Sequence, residues 1–250
     1  MFNPKTDRIK KIYQNQPKGV DQLMSIFSGK VNMYIDYANV RPWADTLGWH
    51  IDVRRLKQFI NSFSCVDKIN FYVGCLDGNT DSMKFIRDIK KYKYELRTKP
   101  VKIMKYSIDT TSVPLQSTVL INQFMRSALV RKLEVAEIEN INRIFSNLNK
   151  RDIYYIEDRK CNFDVELGSD MIMNLKQNDI STYVLWSGDS DFADSVEQIL
   201  NAGKKVILFA TARKVATELN GLRSKGLFIF DIKKIKNYIC WRKEIDAGLA

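Results

Sequence analysis

The sequence predicts an α/β fold with a mainly parallel central sheet, and two observations lead to this prediction. Short apolar runs alternate along the chain with amphipathic stretches of helical period, the order typical of βαβ units. The apolar runs are continuous, as expected for strands that helices cover on both faces. Ligands in such folds bind beyond the carboxyl ends of the strands, so functional residues are expected at that edge.

The predicted strands and helices follow one another through most of the chain. The strand segments are short and apolar, at 31–36, 68–76, 94–99, 181–187, 204–210 and 227–232. The helical segments place apolar residues three and four apart, at 51–63, 80–92, 164–175, 189–203 and 211–222. Thr80 is the predicted N-cap of the second of these helices, and Gly203 is expected to end the fourth.

Residues 113–151 interrupt this alternation. They contain no glycine, and no proline after Pro114, and their apolar residues keep a rough helical period. One continuous helix of about 34 residues would form a rod about 50 Å long, whereas the alternative is two ordinary helices joined by a turn. The flanking segments 99–107 and 151–160 are predicted to be the arms of a β-hairpin, with a long helical insertion at its tip. An exposed amphipathic helix usually buries its apolar stripe, so self-association is expected there.

The chain is therefore expected to have four parts. They are a basic N-terminal arm with one short helix, a discontinuous α/β domain, the helical insertion and a basic C-terminal tail, with boundaries at 1–30, 31–107 with 151–235, 108–150 and 236–250.

The charge of the chain points to a polyanionic partner. Forty Lys and Arg residues against 29 Asp and Glu give a formal net charge of +11, which favours nucleic acid first and an anionic membrane surface second. No apolar stretch approaches the ~18 residues of a membrane helix, and the N-terminus lacks the apolar segment of a secretory signal. We therefore expect a soluble, cytoplasmic protein that does not enter a membrane.

The scarcity of histidine excludes several kinds of site. His50 is the single histidine, and none of the four cysteines forms a C-x-x-C pair. A zinc site of Cys and His ligands is therefore implausible, and a Ser-His-Asp triad would depend on His50 alone. If the protein is an enzyme, carboxylates, lysines or metal-bound water must transfer protons.

Acidic residues lie just after predicted strands, or early in a predicted helix. They occupy three places in the sequence: Asp36 with Asn39 at the end of the first strand, Asp164 and Asp170 in the helix at 164–175, and Asp189 and Asp191 after the strand at 181–187. Because the carboxyl ends of parallel strands share one edge, these residues can converge. Taken singly, each acid could also end a strand, cap a helix or favour its first turn.

A group of convergent carboxylates suits a divalent metal ion. Mg²⁺ and Mn²⁺ prefer oxygen ligands, and phosphoryl transfer uses such ions to bind both attacking and leaving oxygens. A bound cation would also compensate the mutual repulsion of the acids. This chemistry needs no histidine, which agrees with the composition.

Three blocks of the sequence, "YIDYANV", "KCNFDVELGSDM" and "LWSGDSDFADSVEQILNAGKKVILFA", resemble the NYN domain. This family is a LabA-like branch of the PIN-like metal-dependent ribonucleases, and the resemblance covers 31–107 and 151–235. It implies a PIN-like three-layer fold and metal-associated carboxylates. It also implies roles for particular residues: Asp36, Asp164, Asp189 and Asp191 as catalytic metal ligands with Asp170 close by, Asn39 beside the metal or the scissile phosphate, Lys160 near phosphate, and Ser187 or Ser190 orienting ligands.

We therefore predict a divalent-metal-dependent ribonuclease that uses Mg²⁺ or Mn²⁺ and cleaves RNA, single-stranded or structured, through metal-activated water. The basic and aromatic stretches 84–106 and 231–243 could contact RNA, or could be a solvated face and packing residues. Two alternatives stay open at this point: a non-catalytic RNA-binding or assembly module, and a DNA-directed 5′ nuclease. A dinucleotide-binding protein is least favoured, since no G-x-G-x-x-G follows a strand.

Overall fold

The chain folds into two compact units, each described here by itself. The main unit is Met1–Pro100 with Cys161–Ala250, and the insertion unit is Val101–Lys160. The computed structural model describes residues 1–177, 179–211, 214–246 and 248–249. Among these residues, no helix is both long enough and apolar enough to cross a bilayer.

The elements follow the chain in this order. The strands are β1 (Lys30–Asp36), β2 (Val66–Cys75), β3 (Glu95–Pro100), β4 (Lys102–Ser107), β5 (Tyr155–Lys160), β6 (Ile180–Trp186), β7 (Lys205–Ala210) and β8 (Phe228–Asp231). The helices are α1 (Asp7–Asn15), α2 (Lys18–Ile26), α3 (Tyr37–Val40), α4 (Trp43–Leu47), α5 (Val53–Ile60), α6 (Thr80–Lys91), α7 (Ser127–Val130), α8 (Val135–Asn149), α9 (Asp164–Gln177), α10 (Ala193–Asn201), α11 (Thr217–Gly221) and α12 (Lys236–Ile239).

The main unit is built on one parallel sheet. In the described part of the chain, six strands pair in the order β3-β2-β1-β6-β7-β8, and every pairing is parallel. Helices flank this sheet, which confirms the predicted α/β fold with a parallel centre. The central strands β1, β6 and β7 are buried along almost their whole length, as continuous apolar runs require.

The register of the sheet brings the ends of β1 and β6 together. Ile35 of β1 pairs with Trp186, the last residue of β6, and Asp36 pairs with Tyr72 of β2. The residues that follow Trp186 therefore lie beside the residues that follow Asp36. This is the shared edge at which the acidic residues were expected to meet.

Several helix boundaries differ from the sequence prediction. The N-cap of α6 is Asn79, whose side chain accepts a hydrogen bond from Ser82 N (2.8 Å), and Thr80 is the first helical residue instead. The predicted helix at 211–222 is shorter, since α11 begins at Thr217, and residues 212 and 213 lie outside the described residues.

The predicted N-terminal arm is folded onto the main unit. It forms α1 and α2, whose apolar side chains Ile9, Ile12, Val20 and Leu23 are fully buried. The segment contains few apolar residues, but their spacing of three places them on one face of each helix, and this face is buried. The segment predicted as a basic tail also packs inward: Tyr238 is buried and its hydroxyl donates to Gln16 O (2.8 Å).

The insertion unit contains the predicted hairpin. Strands β4 and β5 pair in antiparallel fashion from Lys102↔Lys160 to Ser107↔Tyr155. The two arms of the hairpin, predicted from alternating polar and apolar residues, are thus confirmed.

The segment between these strands is not one continuous helix. It forms a 3₁₀ turn at Ile121–Gln123, the short helix α7 and the longer helix α8. A capping box marks the start of α8 as a separate helix. Glu134 N donates to the Glu137 side chain (2.8 Å), and the Glu134 side chain accepts a hydrogen bond from the backbone of Glu137. The insertion unit has a small apolar core of its own, made of Ile108, Leu120, Ile121, Val130, Ile138 and Phe145.

Candidate metal centre

Asp36 is the buried carboxyl group at the end of β1. Only 4% of the residue is exposed. Its Oδ1 caps the start of α3 by accepting a hydrogen bond from Asn39 N (3.3 Å), and its Oδ2 accepts one from the Ser187 hydroxyl (3.2 Å). Burial raises the pKa of Asp36 to about 6, and the negative charges of Asp164 and Asp189 add to the rise. The carboxylates around Asp36 are therefore close enough to repel it.

The turn after β6 carries the next two acids. Asp189 caps the 3₁₀ turn Ser190–Phe192, since its Oδ1 accepts a hydrogen bond from Asp191 N (3.2 Å). Ser190 is half-buried, and the buried Ser187 hydroxyl accepts a hydrogen bond from Asp189 N (3.3 Å). Asp189 thus has the capping role that its sequence position suggested, and still leaves carboxylate oxygen toward its acidic neighbours.

Gly188 makes this turn possible through close packing rather than through a left-handed backbone. A Cβ atom at this position would lie 1.8 Å from the carbonyl oxygen of Lys214. The Gly188 amide donates to Asn39 Oδ1 (3.1 Å), which ties the turn to the end of β1. Asn39 therefore connects the two strand ends, and the role beside the metal or the scissile phosphate that the resemblance implies for it stays a prediction.

Asp164 is the first residue of α9. Its amide donates to Asn162 Oδ1 (2.8 Å), and Phe163 before it is buried. Burial raises the pKa of Asp164, and its contact with Asp191 and the charges of Asp189 and Asp191 raise it further. Asp164 is thus drawn into one electrostatic group with the turn after β6.

Asp164, Asp189 and Asp191 form the acid cluster of the site. Each offers one carboxylate oxygen, and these oxygens all lie within 4.8 Å of one another. Oxygens bound to one Mg²⁺ at ~2.0–2.1 Å are about 3 Å apart when adjacent and about 4 Å apart when opposite, so side-chain shifts on the order of 1 Å would bring the three groups onto one ion. The cluster is half-exposed and purely oxygen-based, which fits Mg²⁺ or Mn²⁺.

The structure does not bring Asp170 into this cluster. Its Oδ2 accepts a hydrogen bond from the Tyr72 hydroxyl (2.7 Å) and lies 3.3 Å from Arg97 Nε. These partners compensate its charge without an ion, and the carboxylate raises the pKa of Tyr72 beyond the effect of burial. A metal-binding role for Asp170 stays a prediction.

Two lysines, Lys160 and Lys99, lie in different surroundings in the structure. Lys160, which the resemblance places near phosphate, belongs to the insertion unit and pairs with Asp158 (3.5 Å). Lys99 lies near the carboxyl end of β3, where its Nζ is 2.5 Å from Glu166 Oε1 and 4.7 Å from the centre of the Phe163 ring. The sequence analysis counted Lys99 only as part of a basic stretch. Its place at a strand end was the signal that could have identified it.

A cavity of about 340 Å³ opens beside the acid cluster. Asn39 and Gly188, which join the two strand ends, form part of its wall. The other residues that line it come from α4 and from the segment before α11, and are Pro42, Trp43, Lys214, Val215 and Ala216. The cavity combines amide and cationic groups with apolar ones, as expected of a small-ligand site.

The part of the chain that carries the acid cluster is similar to a known protein family. Residues 120–225 match the family model of the NYN domain, which confirms the resemblance seen in the sequence blocks. This range contains Asp164, Asp189 and Asp191 but not Asp36.

One solved structure shares the fold. A protein of unknown function from Vibrio parahaemolyticus aligns with a TM-score of 0.51 and 15% sequence identity, over 85% of this chain and 96% of that chain. At that identity the similarity shows a common fold alone. No curated protein matches the chain.

Proposed function

We propose that this protein is a divalent-metal-dependent ribonuclease that hydrolyses RNA phosphodiester bonds with metal-activated water. The observation that carries the proposal is the convergence of Asp164, Asp189 and Asp191 at the carboxyl edge of the parallel sheet. These acids come from two separate elements, and burial together with their repulsion raises the pKa of Asp164. A Mg²⁺ or Mn²⁺ ion would remove that repulsion.

Each acidic residue has a distinct part in the proposed site. The three clustered acids hold the ion, which when bound supplies an activated water and stabilises negative charge on the phosphate. Asp36 lies behind them, and its hydrogen bonds from Asn39 and Ser187 fix the orientation of its carboxyl group. It adds negative charge that strengthens cation binding without being exposed to the substrate.

The substrate is assigned from charge and from the cavity next to the acid cluster. A net charge of +11 favours a polyanion. The cavity wall supplies the Asn39 amide and belongs partly to Lys214, so a nucleotide next to the scissile phosphate could occupy it. Ser190 lies between two of the clustered acids in sequence and is proposed to orient a ligand, and Lys99 supplies positive charge from the end of β3.

Cleavage assays on single-stranded RNA test the proposal. Wild-type protein with Mg²⁺ or Mn²⁺ should cleave, while EDTA and Asp189→Asn should each lower the rate by about 10²-fold or more, because the ion provides both nucleophile and charge stabilisation. Asp194→Asn is the matched control, since Asp194 is an exposed residue of α10 that bonds only to Gln198 nearby. Equal rates in all samples would refute the proposal, and a parallel DNA substrate would reveal a DNA-directed 5′ nuclease.

The insertion unit favours an assembly role as a second function. Several of its apolar side chains are exposed: Leu115, Val119, Leu129, Val135 and Ile144. Exposed apolar groups of this kind favour association with a further copy or another protein. Self-association through residues 108–150 accordingly stays a proposal. Light scattering would test it, with Ile144→Glu expected to reduce the mass of any oligomer.

A further inference from the structure

A second cavity, of about 330 Å³, lies in the main unit away from the acid cluster. Its wall combines cations with neutral hydrogen-bonding groups. The cations are Lys5, Arg54 and Lys57, and the neutral groups include Thr6, Asn61 and Tyr92. No aspartate or glutamate of the described residues lines it. The cavity is thus a basic recess.

Among the described residues, none of Lys5, Arg54 and Lys57 forms an ion pair with a carboxylate. Lys57 is half-buried, and burial lowers the pKa of its ammonium, an effect that Glu95 offsets only in part. Its contact with the Tyr94 ring, 4.9 Å from the ring centre, provides limited compensation. An anion in the recess would supply the charge that these groups lack.

The recess lies near the opposite end of the sheet from the acid cluster. Asn61 and Tyr92 come before β2 and β3, whereas Asp189 and Asp191 of the acid cluster follow the carboxyl end of β6. A strand such as β2 rises about 3.3 Å per residue, so the two ends of the sheet are separated by roughly 20–30 Å. The recess is therefore a separate site and not an extension of the metal centre.

We propose that this basic recess binds a phosphate group, and that the group belongs to an RNA strand whose other end reaches the metal centre. The choice of RNA as the source rests on the proposed function. Two lysines and an arginine line a recess large enough for a phosphate and part of its sugar, together with residues that carry amide and hydroxyl groups. A phosphate carries several acceptor oxygens, and can therefore use several of these donors at once.

A structural explanation competes with this proposal. Helices α5 and α6 both end near the recess, and cations near a helix C-terminus offset the negative end of its dipole by about 0.3–1 kcal/mol. In that case Lys57 would serve only to stabilise α5. Loss of the cations would then lower the melting temperature and leave phosphate binding unchanged.

The test is RNA binding in EDTA, where metal-dependent cleavage cannot occur. The double variant Arg54→Gln with Lys57→Gln should bind a fluorescent single-stranded RNA of about 20 nucleotides roughly 10-fold more weakly than wild type, and with a smaller salt dependence. The control is Arg223→Gln with Lys225→Gln, which removes the same charge from the 3₁₀ turn before β8, the strand at the other edge of the sheet. This control should bind nearly as wild type does.

Competitors identify the source of the phosphate. If RNA occupies the recess, inorganic phosphate and a mononucleotide should displace it only at millimolar concentrations. Tight binding of a mononucleotide without RNA binding would overturn the assignment to RNA. Equal RNA affinity of wild type and double variant would overturn the site itself, whatever the melting temperature does. The binding assay contains no metal and is therefore independent of the cleavage assay. A wild-type protein that binds RNA in the recess but does not cleave RNA with Mg²⁺ or Mn²⁺ would contradict the proposed hydrolysis and leave the binding site standing.

Discussion

Asp36 illustrates how a single buried group can link stability to metal binding. Burial raises its pKa from the usual 3.8 to about 6. Between these pH values the folded state binds more protons at Asp36 than the unfolded state does. The contribution of Asp36 to stability is therefore fully present below about pH 4, and it is lost as the pH rises through 6.

Replacing Asp36 by asparagine should therefore stabilise the metal-free protein at pH 8. In EDTA we expect Asp36→Asn to raise the free energy of unfolding by roughly 2–3 kcal/mol at pH 8, because no buried negative charge remains. The gain should shrink toward zero below pH 4, where Asp36 is neutral in both states. Urea denaturation at pH 4, 6 and 8 measures it, with Asp194→Asn as an exposed control. A variant that is less stable than wild type at pH 8 would contradict this account.

Gly188 is a second residue whose identity is determined by the atoms packed against it. The Lys214 carbonyl would be 1.8 Å from an added Cβ, and this carbonyl belongs to the backbone and cannot rotate away. We expect Gly188→Ala to cost about 1–3 kcal/mol of stability and to displace Asp189. Gly221→Ala is the control, since nothing lies within 4 Å of its added Cβ. Thermal denaturation compares the two, and equal melting temperatures would disprove the close-packing argument.

At the scale of elements, helix α9 is attached to the edge strand β3 by two ion pairs. Arg97 pairs with Asp170 (3.3 Å), and Lys99 pairs with Glu166 (2.5 Å). Alternate residues of a strand point to one side, and residues four apart share one face of a helix, so the two pairs form successive rungs. Such partly exposed pairs are individually weak. Together with the hydrogen bond from Tyr72, they fix the position of the helix that begins at Asp164.

This arrangement predicts opposite effects for two acids of α9. Asp164→Asn should weaken Mn²⁺ binding by at least about 10-fold, because it removes a charged ligand. Asp170→Asn should cost about 1 kcal/mol of stability and change Mn²⁺ affinity by less than about 3-fold, because its partners are Tyr72 and Arg97. Calorimetric titration with Mn²⁺ and thermal denaturation separate the two. Strong loss of Mn²⁺ affinity in Asp170→Asn would place this residue among the ligands after all.

The strands that carry the site could be predicted from the sequence, whereas the side-chain partners within the site could not. The ends of β1 and β6 were predictable, since apolar runs stop at Asp36 and just before Gly188 and the parallel arrangement places both at one edge. The partners of Asp170 were not predictable. A charged residue between apolar ones indicates that its charge needs a partner, but not which side chain provides it. Arg97 and Lys99 become neighbours of α9 only through the pairing of β3 with β2, a long-range contact that no local pattern encodes.

The same limit explains why the sequence left two alternatives open for residues 113–151. Their helical period was real, as the 15-residue helix α8 shows. The period alone could not reveal that the chain folds back on α8, where the Asn142 side chain donates to the carbonyl oxygens of Leu115 and Ser117 (2.6 and 2.8 Å). One continuous helix and a segment that folds back would show the same apolar spacing in the sequence. The capping residues Glu134 and Glu137, which begin α8 as a separate helix, distinguish the two.

At the scale of the whole molecule, buried apolar residues form two separate clusters, one in each unit. The cluster of the insertion unit is small, and many of the neighbouring apolar residues are exposed. Stability of a unit scales with the apolar area that it buries. The insertion unit should therefore open more readily than the central strands of the main unit.

Hydrogen exchange on a core variant of the insertion unit tests this separation. Ile121 is 1% exposed, and Ile121→Ala should cost about 2–4 kcal/mol by leaving a cavity. Because its neighbours all belong to the small cluster, amide protons of α8 should exchange faster by about 10-fold or more, while those of β6 keep their protection. Val135→Ala, at a position that is 58% exposed, should change neither. If β6 lost protection together with α8, the two clusters would unfold as one cooperative core, and substitutions in the insertion would then act directly on the strand that leads to Asp189.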